Sequence, residues 1–582
     1  MSAKGSVDRP FWRPVAMGTK AMIAAEHPLE ARAAQKVLEA GGNAIDAAVA
    51  AFYITTVVEP EYAGLGGDAF ILAYLADRGE VVFINGSGHA PALATSERYR
   101  EIGGIPDAGP LATSVPGAVS GFDVALRKYG TKGYPELLEP AIDAALHGHP
   151  VSFSSAVNHL TAFKMLSKYP ASARALLKDG KPFEAGDLLI QSDLGRTLQS
   201  IAKHGADGFY RGSIARRVTA SIEAQGGLLR YDDLANLHAE EAVPIRSTYR
   251  EYDIFESPPN SQGIVLLIAL NILKGFDLPA MGHNSPDYLH VITETLKLAF
   301  ADRNQYIGDP RFVKDIPVEE LLSQSYADKR RGLIRMDAAL AGIAPSGDPR
   351  RGASVLAPHK VSYSTATLAA SEIPGAATPL DGDTSSFSIA DPYGNVVSVT
   401  HSIAGIFGSG MVAEDLGFVL NNRMLYFGLD KDDVNVLEPG KRVRQTSNPA
   451  LALRNGEPYL AWNTPGVDNQ PQAMLQAFLN VVEFGMNVQQ AAEAPTIITS
   501  NFRQSKYPQP APNLLAIPRV LADQVGAELA RRGHSLRVSE LQPPYFQAPS
   551  GAGAVKMVLA APKRKVLFGG VSPAKDNCVV GW

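Results

Sequence analysis

The sequence predicts an α/β fold, a layered sandwich in which two sheets lie between helices. Short early strands alternate with alanine-rich helices, residues 134–350 read as mostly helical, and the last third is rich in strands of antiparallel appearance. At 582 residues the chain exceeds one ordinary core, so two or more domains or one large α/β assembly are expected.

Residues 15–25 read as a short buried strand, and His27-Pro28-Leu29-Glu30 opens a helix that Gly41-Gly42 ends. Asn43 caps a second helix, Ala44–Phe52, whose alanines allow close packing under a sheet. Ala63-Gly64-Leu65-Gly66-Gly67-Asp68 then turns into a strand, Ala69–Leu75; its glycines serve a tight turn or a close approach to a ligand. A strand Val81–Asn85 ends at Gly86-Ser87-Gly88-His89-Ala90-Pro91, a loop placed to line a site. Helices follow over 134–147, 156–166, 193–204, 213–224 and 286–302, with Ser257-Pro258-Pro259-Asn260-Ser261-Gln262-Gly263 opening a very apolar helix. Glu294, Lys297, Asp302 and Arg303 have the spacing of surface ion pairs on a solvated face. Residues 337–383 are small, Pro/Gly/Ser/Ala-rich and weakly patterned, which reads as a flexible linker. Beyond it come strands at 450–454, 459–462, 555–560 and 565–570 and helices at 472–484 and 520–532.

Hydrophobic residues make up 45% and charged residues 19%, which is globular composition. The net charge of −5 and a pI near 6.2 give no reason to expect nucleic acid or an anionic membrane as partner. The single cysteine, Cys578, excludes an internal disulfide and a cysteine-based metal site. No secretory signal and no membrane-spanning run is visible, so the cytoplasm is the expected location.

The linker ends at a hairpin. Phe387 and Ile389 alternate with Ser386 and Ser388, Asp391-Pro392-Tyr393-Gly394-Asn395 turns the chain, and Val396–Thr400 returns it. Thr384 stands at the start of the first strand. If the Asp383–Thr384 bond is cut, Thr384 gains a free α-amine beside its own hydroxyl, and that amine can serve as the base that activates the hydroxyl. Taken alone, such a hairpin is far more often an ordinary one with a Thr at its edge, since hairpins are common.

An ordered series of motifs decides between the two. Gly41-Gly42-Asn43-Ala44-Ile45-Asp46-Ala47-Ala48-Val49-Ala50, Gly64-Leu65-Gly66-Gly67, Thr113-Ser114-Val115-Pro116-Gly117, the 257–263 motif and Ala299-Phe300-Ala301-Asp302-Arg303 precede the hairpin. Phe407-Gly408-Ser409-Gly410, Leu420-Asn421-Asn422-Arg423-Met424 and Pro439-Gly440-Lys441-Arg442 follow it. In this order they resemble the γ-glutamyltransferase family (glutathione hydrolases and related acylases) of N-terminal-nucleophile hydrolases. The resemblance covers nearly the whole chain.

It implies the αββα sandwich of that superfamily and a proenzyme that cuts itself between Asp383 and Thr384. Residues 1–383 become a helix-rich large chain and 384–582 a small chain, which stay associated; a homo-oligomer is compatible with this. Thr384 Oγ attacks an amide carbonyl to give an acyl-enzyme, which water or an amine acceptor then takes up, with no metal or cofactor. The family's second hydroxyl falls on Ser402. The Gly-Gly pair whose N–H groups form the oxyanion hole falls on Gly466-Val467; losing one such donor costs on the order of 100- to 1000-fold in rate.

The implied substrate pocket departs from the family. The Arg that holds a substrate α-carboxylate is missing from Ser87-Gly88-His89-Ala90-Pro91. Tyr426 stands where an acid normally takes the α-amine, after Asn421-Asn422, and Gln445-Thr446 replace a Ser-Ser pair. An α-amino-acid head is a zwitterion that needs both a cation and an anion. Arg423, Arg444 and His89 are candidate cations, Asp468 is the nearby acid, and Asn422, Tyr426, Gln445 and Thr446 are further candidate substrate contacts. These departures favour a different acyl group, with a carboxylate or a neutral polar head, as in the oxamate-amidohydrolase and cephalosporin-acylase-like branch. A true γ-glutamyltransferase or glutathione hydrolase with other pocket residues, and an uncleaved relative that only binds a small ligand, are the alternatives.

Overall fold

The hairpin at 384–402 forms as its pattern requires, and its two faces explain where it sits. Ser385–Ala390 pairs antiparallel with Val396–Ser402. Phe387, Ile389, Val397 and Val399 point into a large apolar cluster shared with helices. The alternate face, Ser386, Ser388, Ser398 and Thr400, is fully buried yet hydroxyl-lined. It meets Asn463 of the facing sheet, whose Nδ2 donates to the Phe387 carbonyl at 2.7 Å and to Ser388 and Ser398 Oγ at 2.9 and 3.0 Å. The Ser388 and Ser398 hydroxyls are thereby satisfied, whereas Ser386 Oγ and Thr400 Oγ1 on the same face meet no partner.

A computed structural model describes residues 13–356, 384–506, 510–539, 554–561 and 564–582. Two seven-stranded antiparallel sheets stack face to face. The hairpin occupies the middle of one, in the order Cys578–Gly581, Met22–Ala25, Ser385–Ala390, Val396–Ser402, Asp68–Leu75, Glu80–Gly86, Glu240–Ala242. The other runs Ala16–Gly18, Val566–Val571, Lys556–Ala561, Glu457–Asn463, Ala450–Arg454, Tyr252–Glu256, Ile245–Tyr249. Phe70, Leu72, Phe83, Leu451, Ala461 and Val558 fill the space between them. Helices cover both outer faces, which gives the expected αββα sandwich.

On one outer face lies the helix Ala44–Val58, every residue of which is buried. Its N-cap Asn43 accepts from Ile45 and Asp46 N–H, and Asp46 returns the bond to Asn43, a capping box that fixes the helix start. On the other face the apolar helix Ile264–Leu273 is likewise buried throughout. At about 1.5–3 kcal/mol for each buried Leu or Ile side chain, such a helix anchors its layer.

Three expectations need correction. Residues 15–25 form two strands in different sheets, because Thr19–Ala21 turn around the carbonyl of Trp582. The stretch 134–350 also holds strands, and two of them, Ile245–Tyr249 and Tyr252–Glu256, form one edge of a sheet. Glu294, Lys297, Asp302 and Arg303 are not a solvated face but buried. Lys297 pairs with Glu294 at 2.6 Å, Arg330 with Asp302 at 3.1 Å, and Arg303 with Asp468. The spacing that suits surface pairs suits buried pairs as well, and only the layers around the helix Pro286–Tyr306 distinguish them.

The first part of the expected linker, residues 337–356, is tied down instead: Leu340 N–H donates to Glu294 at 2.7 Å and Gly347 N–H to Asp302 at 2.9 Å. Residues 357–383, with Asp383, lie outside the described residues. Among the described residues no helix is long and apolar enough to cross a membrane.

Candidate active site

The strand register sets the site. Ser385 pairs with His401, so continuing by one residue puts Thr384 opposite Ser402. On its other side Ser402 pairs with Asp68. Directly opposed residues of an antiparallel ladder share a face. Thr384, Ser402 and Asp68 thus form a row at one end of the sheet, with adjacent strands about 4.8 Å apart. All three are buried. Ser402 Oγ accepts from Ala404 N–H at 2.9 Å, which orients the hydroxyl beside the nucleophile position.

The facing sheet supplies the other wall. The strand Glu457–Asn463 runs into Thr464-Pro465-Gly466-Val467. Gly466 takes φ +115° and Val467 φ +52°. A left-handed conformation is unfavourable for a β-branched residue and costs on the order of 1–3 kcal/mol. The position thus holds a β-branched residue in a backbone conformation that a glycine favours. The surroundings enforce it: Gln262 Nε2 donates to the Val467 carbonyl at 2.9 Å and to the Thr446 carbonyl at 2.8 Å. Arg303 Nη1 holds Gln262 Oε1 at 2.6 Å. Ala404 and Phe407, close after Ser402, also have positive φ, so backbone strain gathers around the same end of the sandwich.

The expected acyl pocket is organised by Asp68, which the motif reading assigned only to a turn. Its Oδ1 accepts from Gly88 N–H at 2.7 Å. Its Oδ2 accepts from Arg423 Nε at 3.2 Å and from Gln445 Nε2 at 2.8 Å. Arg423 is 1% exposed, its guanidinium lies 5.0 Å from the Tyr426 ring centroid, and its Nη2 meets no hydrogen-bond acceptor. Residue 88 has no room for a side chain, since a Cβ there would lie 1.5 Å from the Val115 carbonyl oxygen. Nothing near Asp68 in sequence signals the partnership, because Arg423 and Gln445 lie more than 350 positions away.

The other expected pocket residues divide. Asn422 ties loops together, accepting from Gly405 N–H at 2.8 Å and donating to the Asp107 carbonyl at 2.9 Å. Thr446 is buried beside Gln445. His89 is half-buried; burial, with Arg311 and Arg442 near it, holds its imidazole below the ordinary range, so it is neutral at neutral pH. Arg444 is buried, and burial with Arg303 alongside weighs against its charge. Asp468 is occupied: it binds Arg303 and accepts from Ser505 N–H at 2.6 Å and Ser505 Oγ at 2.7 Å. The 257–263 motif supports the pocket wall from behind, with Ser261 Oγ donating to the Ser447 carbonyl at 2.6 Å and Gln262 N–H to the Gln445 carbonyl at 2.9 Å. The glycines at 64–67 serve close backbone approach, as Asn421 N–H donates to the Gly66 carbonyl at 3.1 Å.

Among the described residues one group has metal-ligand types within reach of one another: His290, Glu294 and His534. Glu294 is already bound by Lys297 and Leu340 N–H, and the two imidazoles hydrogen-bond each other at 2.9 Å. We read it as a buried hydrogen-bond network. Burial pushes the Cys578 thiol up to about 12, which leaves it inert.

Comparison with known proteins agrees with this geometry. The family model described as Gamma-glutamyltranspeptidase matches residues 31–576. The chain is 33% identical over 566 residues to the glutathione hydrolase-like YwrD proenzyme of Bacillus subtilis, covering 97% of this chain and 99% of that one. It is 36% identical over 535 residues to the acylase ACY 1 proenzyme of a Pseudomonas species (strain SE83), covering 90% and 88%. The solved cephalosporin acylase from Bacillus halodurans superposes with a TM-score of 0.86 at 31% identity, over 99% of this chain and 98% of that chain. The chain belongs to the γ-glutamyltranspeptidase family of N-terminal-nucleophile hydrolases, and it is an amide-bond hydrolase or acyltransferase.

Proposed function

We propose that the chain cuts itself between Asp383 and Thr384 and then works as an acylase on amides whose acyl group lacks an α-amino-acid head. In this reading Thr384 Oγ is the nucleophile and its new α-amine the base. Ser402 steadies both, and the N–H groups of Gly466 and Val467 receive the developing oxyanion. Residues 1–383 and 384–582 remain together as large and small chains. The names of the relatives, proenzymes and acylases among them, support the processing and the acylase assignment.

The observation that carries the substrate reading is the Asp68–Arg423 pair, one strand beyond Ser402 in the row that begins at Thr384. A glutamyl head would need an uncompensated cation for its carboxylate and a free acid for its ammonium. Here the cation is balanced by Asp68, Tyr426 stands at the acid's position, and Asp468 is bound by Arg303. Arg423 Nη2, buried and without an acceptor, remains to donate to an oxygen of the acyl group. An oxygen-bearing head without an ammonium fits that donor.

Two measurements test this. Denaturing gels of the mature protein should show pieces of about 41 and about 21 kDa, divided by residue number from the 62.0 kDa chain, with the smaller beginning at Thr384. A single full-length band after prolonged incubation refutes processing. Glutaryl anilide, which is γ-glutamyl anilide without its α-amine, should be cut with at least about tenfold higher kcat/KM than γ-glutamyl anilide. The reverse order would return the chain to the glutathione hydrolases.

A further inference from the structure

The start of the nucleophile strand rests on buried charges that the reaction described above does not use. Lys575 Nζ donates to the backbone carbonyl of Thr384 at 3.0 Å, pairs with Glu26 Oε1, and lies 3.7 Å from the centroid of the Tyr62 ring. Glu26 Oε2 in turn binds Lys556, which reaches across from the facing sheet, and accepts from Ser386 N–H at 3.2 Å. Ser385 Oγ donates to Glu59 at 2.9 Å. One ammonium therefore touches the nucleophile residue itself and is fixed from two further sides.

Other titratable groups face the same place from each neighbouring element. Glu30 comes from the helix Pro28–Glu39, and Glu59 and Glu61 follow the helix Ala44–Val58. His401 lies on the paired strand and Asp576 adjoins Lys575. Burial raises Glu59 well above the usual carboxyl range, raises Glu30 and Glu61 to about 7, and raises Asp576. Burial also lowers His401 to about 3 and pushes Lys556 down. The low-dielectric surroundings thus favour neutral forms around the row, and Lys575 is the cation that faces Thr384.

We propose that Lys575 is a positioning residue for the nucleophile: it fixes the Thr384 carbonyl and, once the chain is cut, its charge favours the free-base form of the new α-amine. That amine must be unprotonated to take the hydroxyl proton of Thr384, and a cation within a few ångströms opposes a second positive charge. Glu26 acts in the opposite electrostatic sense while anchoring Lys575. The inference rests on the reading of Thr384 as the exposed N-terminal nucleophile.

The test is the acidic limb of kcat against pH in the two-chain enzyme, which reports the protonation of the base. Lys575→Gln should raise the midpoint of that limb by about one pH unit or more, and Lys575→Arg should restore it. Glu26→Gln should move the midpoint the other way, a sign reversal that a loss of packing does not produce. Lys575→Gln should also slow self-cleavage on gels at least about tenfold, without shifting its pH dependence, since no α-amine exists before cleavage. Should Lys575→Gln fail to fold, Glu26→Gln alone decides: a limb that stays put or rises overturns the proposal. So does a Lys575→Gln enzyme with an unmoved limb and a lowered unfolding temperature. Sequencing the small chain of the unsubstituted enzyme separates the two layers. A start other than Thr384 removes the underlying reading and this inference together, whereas a start at Thr384 with unmoved limbs removes this inference only.

Discussion

The proposed nucleophile end of the site and its proposed acyl end meet at one row of strand residues, Thr384, Ser402 and Asp68, but are held in different ways. Thr384, Ser402 and the Gly466-Val467 turn are held through their main chain, by strand register, two positive φ angles and side-chain donors from Gln262, Asn463 and Lys575 to backbone carbonyls. The acyl end is placed by side chains from distant segments that balance one another, Asp68 against Arg423 and Gln445. A main-chain frame can carry an unfavourable side chain, as Val467 does at a left-handed φ. A charge-balanced cluster does not tolerate a change of side chain, because removing one partner leaves a buried charge that typically costs about 3–5 kcal/mol. Chemistry and specificity can therefore diverge separately on this fold.

The largest expected effect falls on the nucleophile. Thr384→Ala should leave the chain uncleaved on gels and reduce turnover by at least about 10⁴-fold, with no rescue by added amines. Any substantial residual rate would assign the nucleophile elsewhere.

Effects at the acyl end should be smaller and selective. Arg423→Ala is expected to raise KM about tenfold for acyl groups bearing a terminal oxygen while kcat changes less than about threefold, measured by steady-state kinetics on glutaryl and simple alkanoyl anilides. An unchanged KM for every such substrate removes Arg423 from the pocket. Asp68→Asn should favour carboxylate-headed over neutral acyl groups by about tenfold, because Arg423 is then uncompensated, and should lower the unfolding temperature. Equal effects on both substrate types would mean that Arg423 does not face the acyl group.

The smallest effect is expected at the Gly466-Val467 turn, the proposed oxyanion hole. Val467→Gly relieves the left-handed valine but adds freedom to the unfolded chain, so stability should change by no more than about 1 kcal/mol. Its N–H remains, so kcat should stay within about threefold. A loss of 100-fold would show that the valine side chain itself helps to shape the hole.

Much of this was legible in the sequence, for physical reasons that differ by element. The hairpin was readable because a two-residue period in Phe387, Ile389, Val397 and Val399 can bury only one way. The helices Tyr134–His147 and Ser213–Ala224 begin and end where their patterns do. The hairpin Ile245–Tyr249 and Tyr252–Glu256 escapes a sequence reading although burial alternates along both strands, because its more buried positions include the polar Ser247 and Glu256, which hide a two-residue hydrophobic period. The buried pairs Glu294–Lys297 and Arg303–Asp468 were misread because charge spacing carries no information about what covers it.

The sequence by itself determined the family, the sandwich, and Thr384 as the expected nucleophile, since each rests on local pattern and the order of motifs along one chain. The tertiary structure alone decided that Asp68 neutralises Arg423, that Asp468 is bound by Arg303, and that Lys575 reaches the Thr384 carbonyl. Those partners lie from about 165 to 355 residues apart, and electrostatic balance is a property of distance in space and of burial, neither of which a linear spacing encodes.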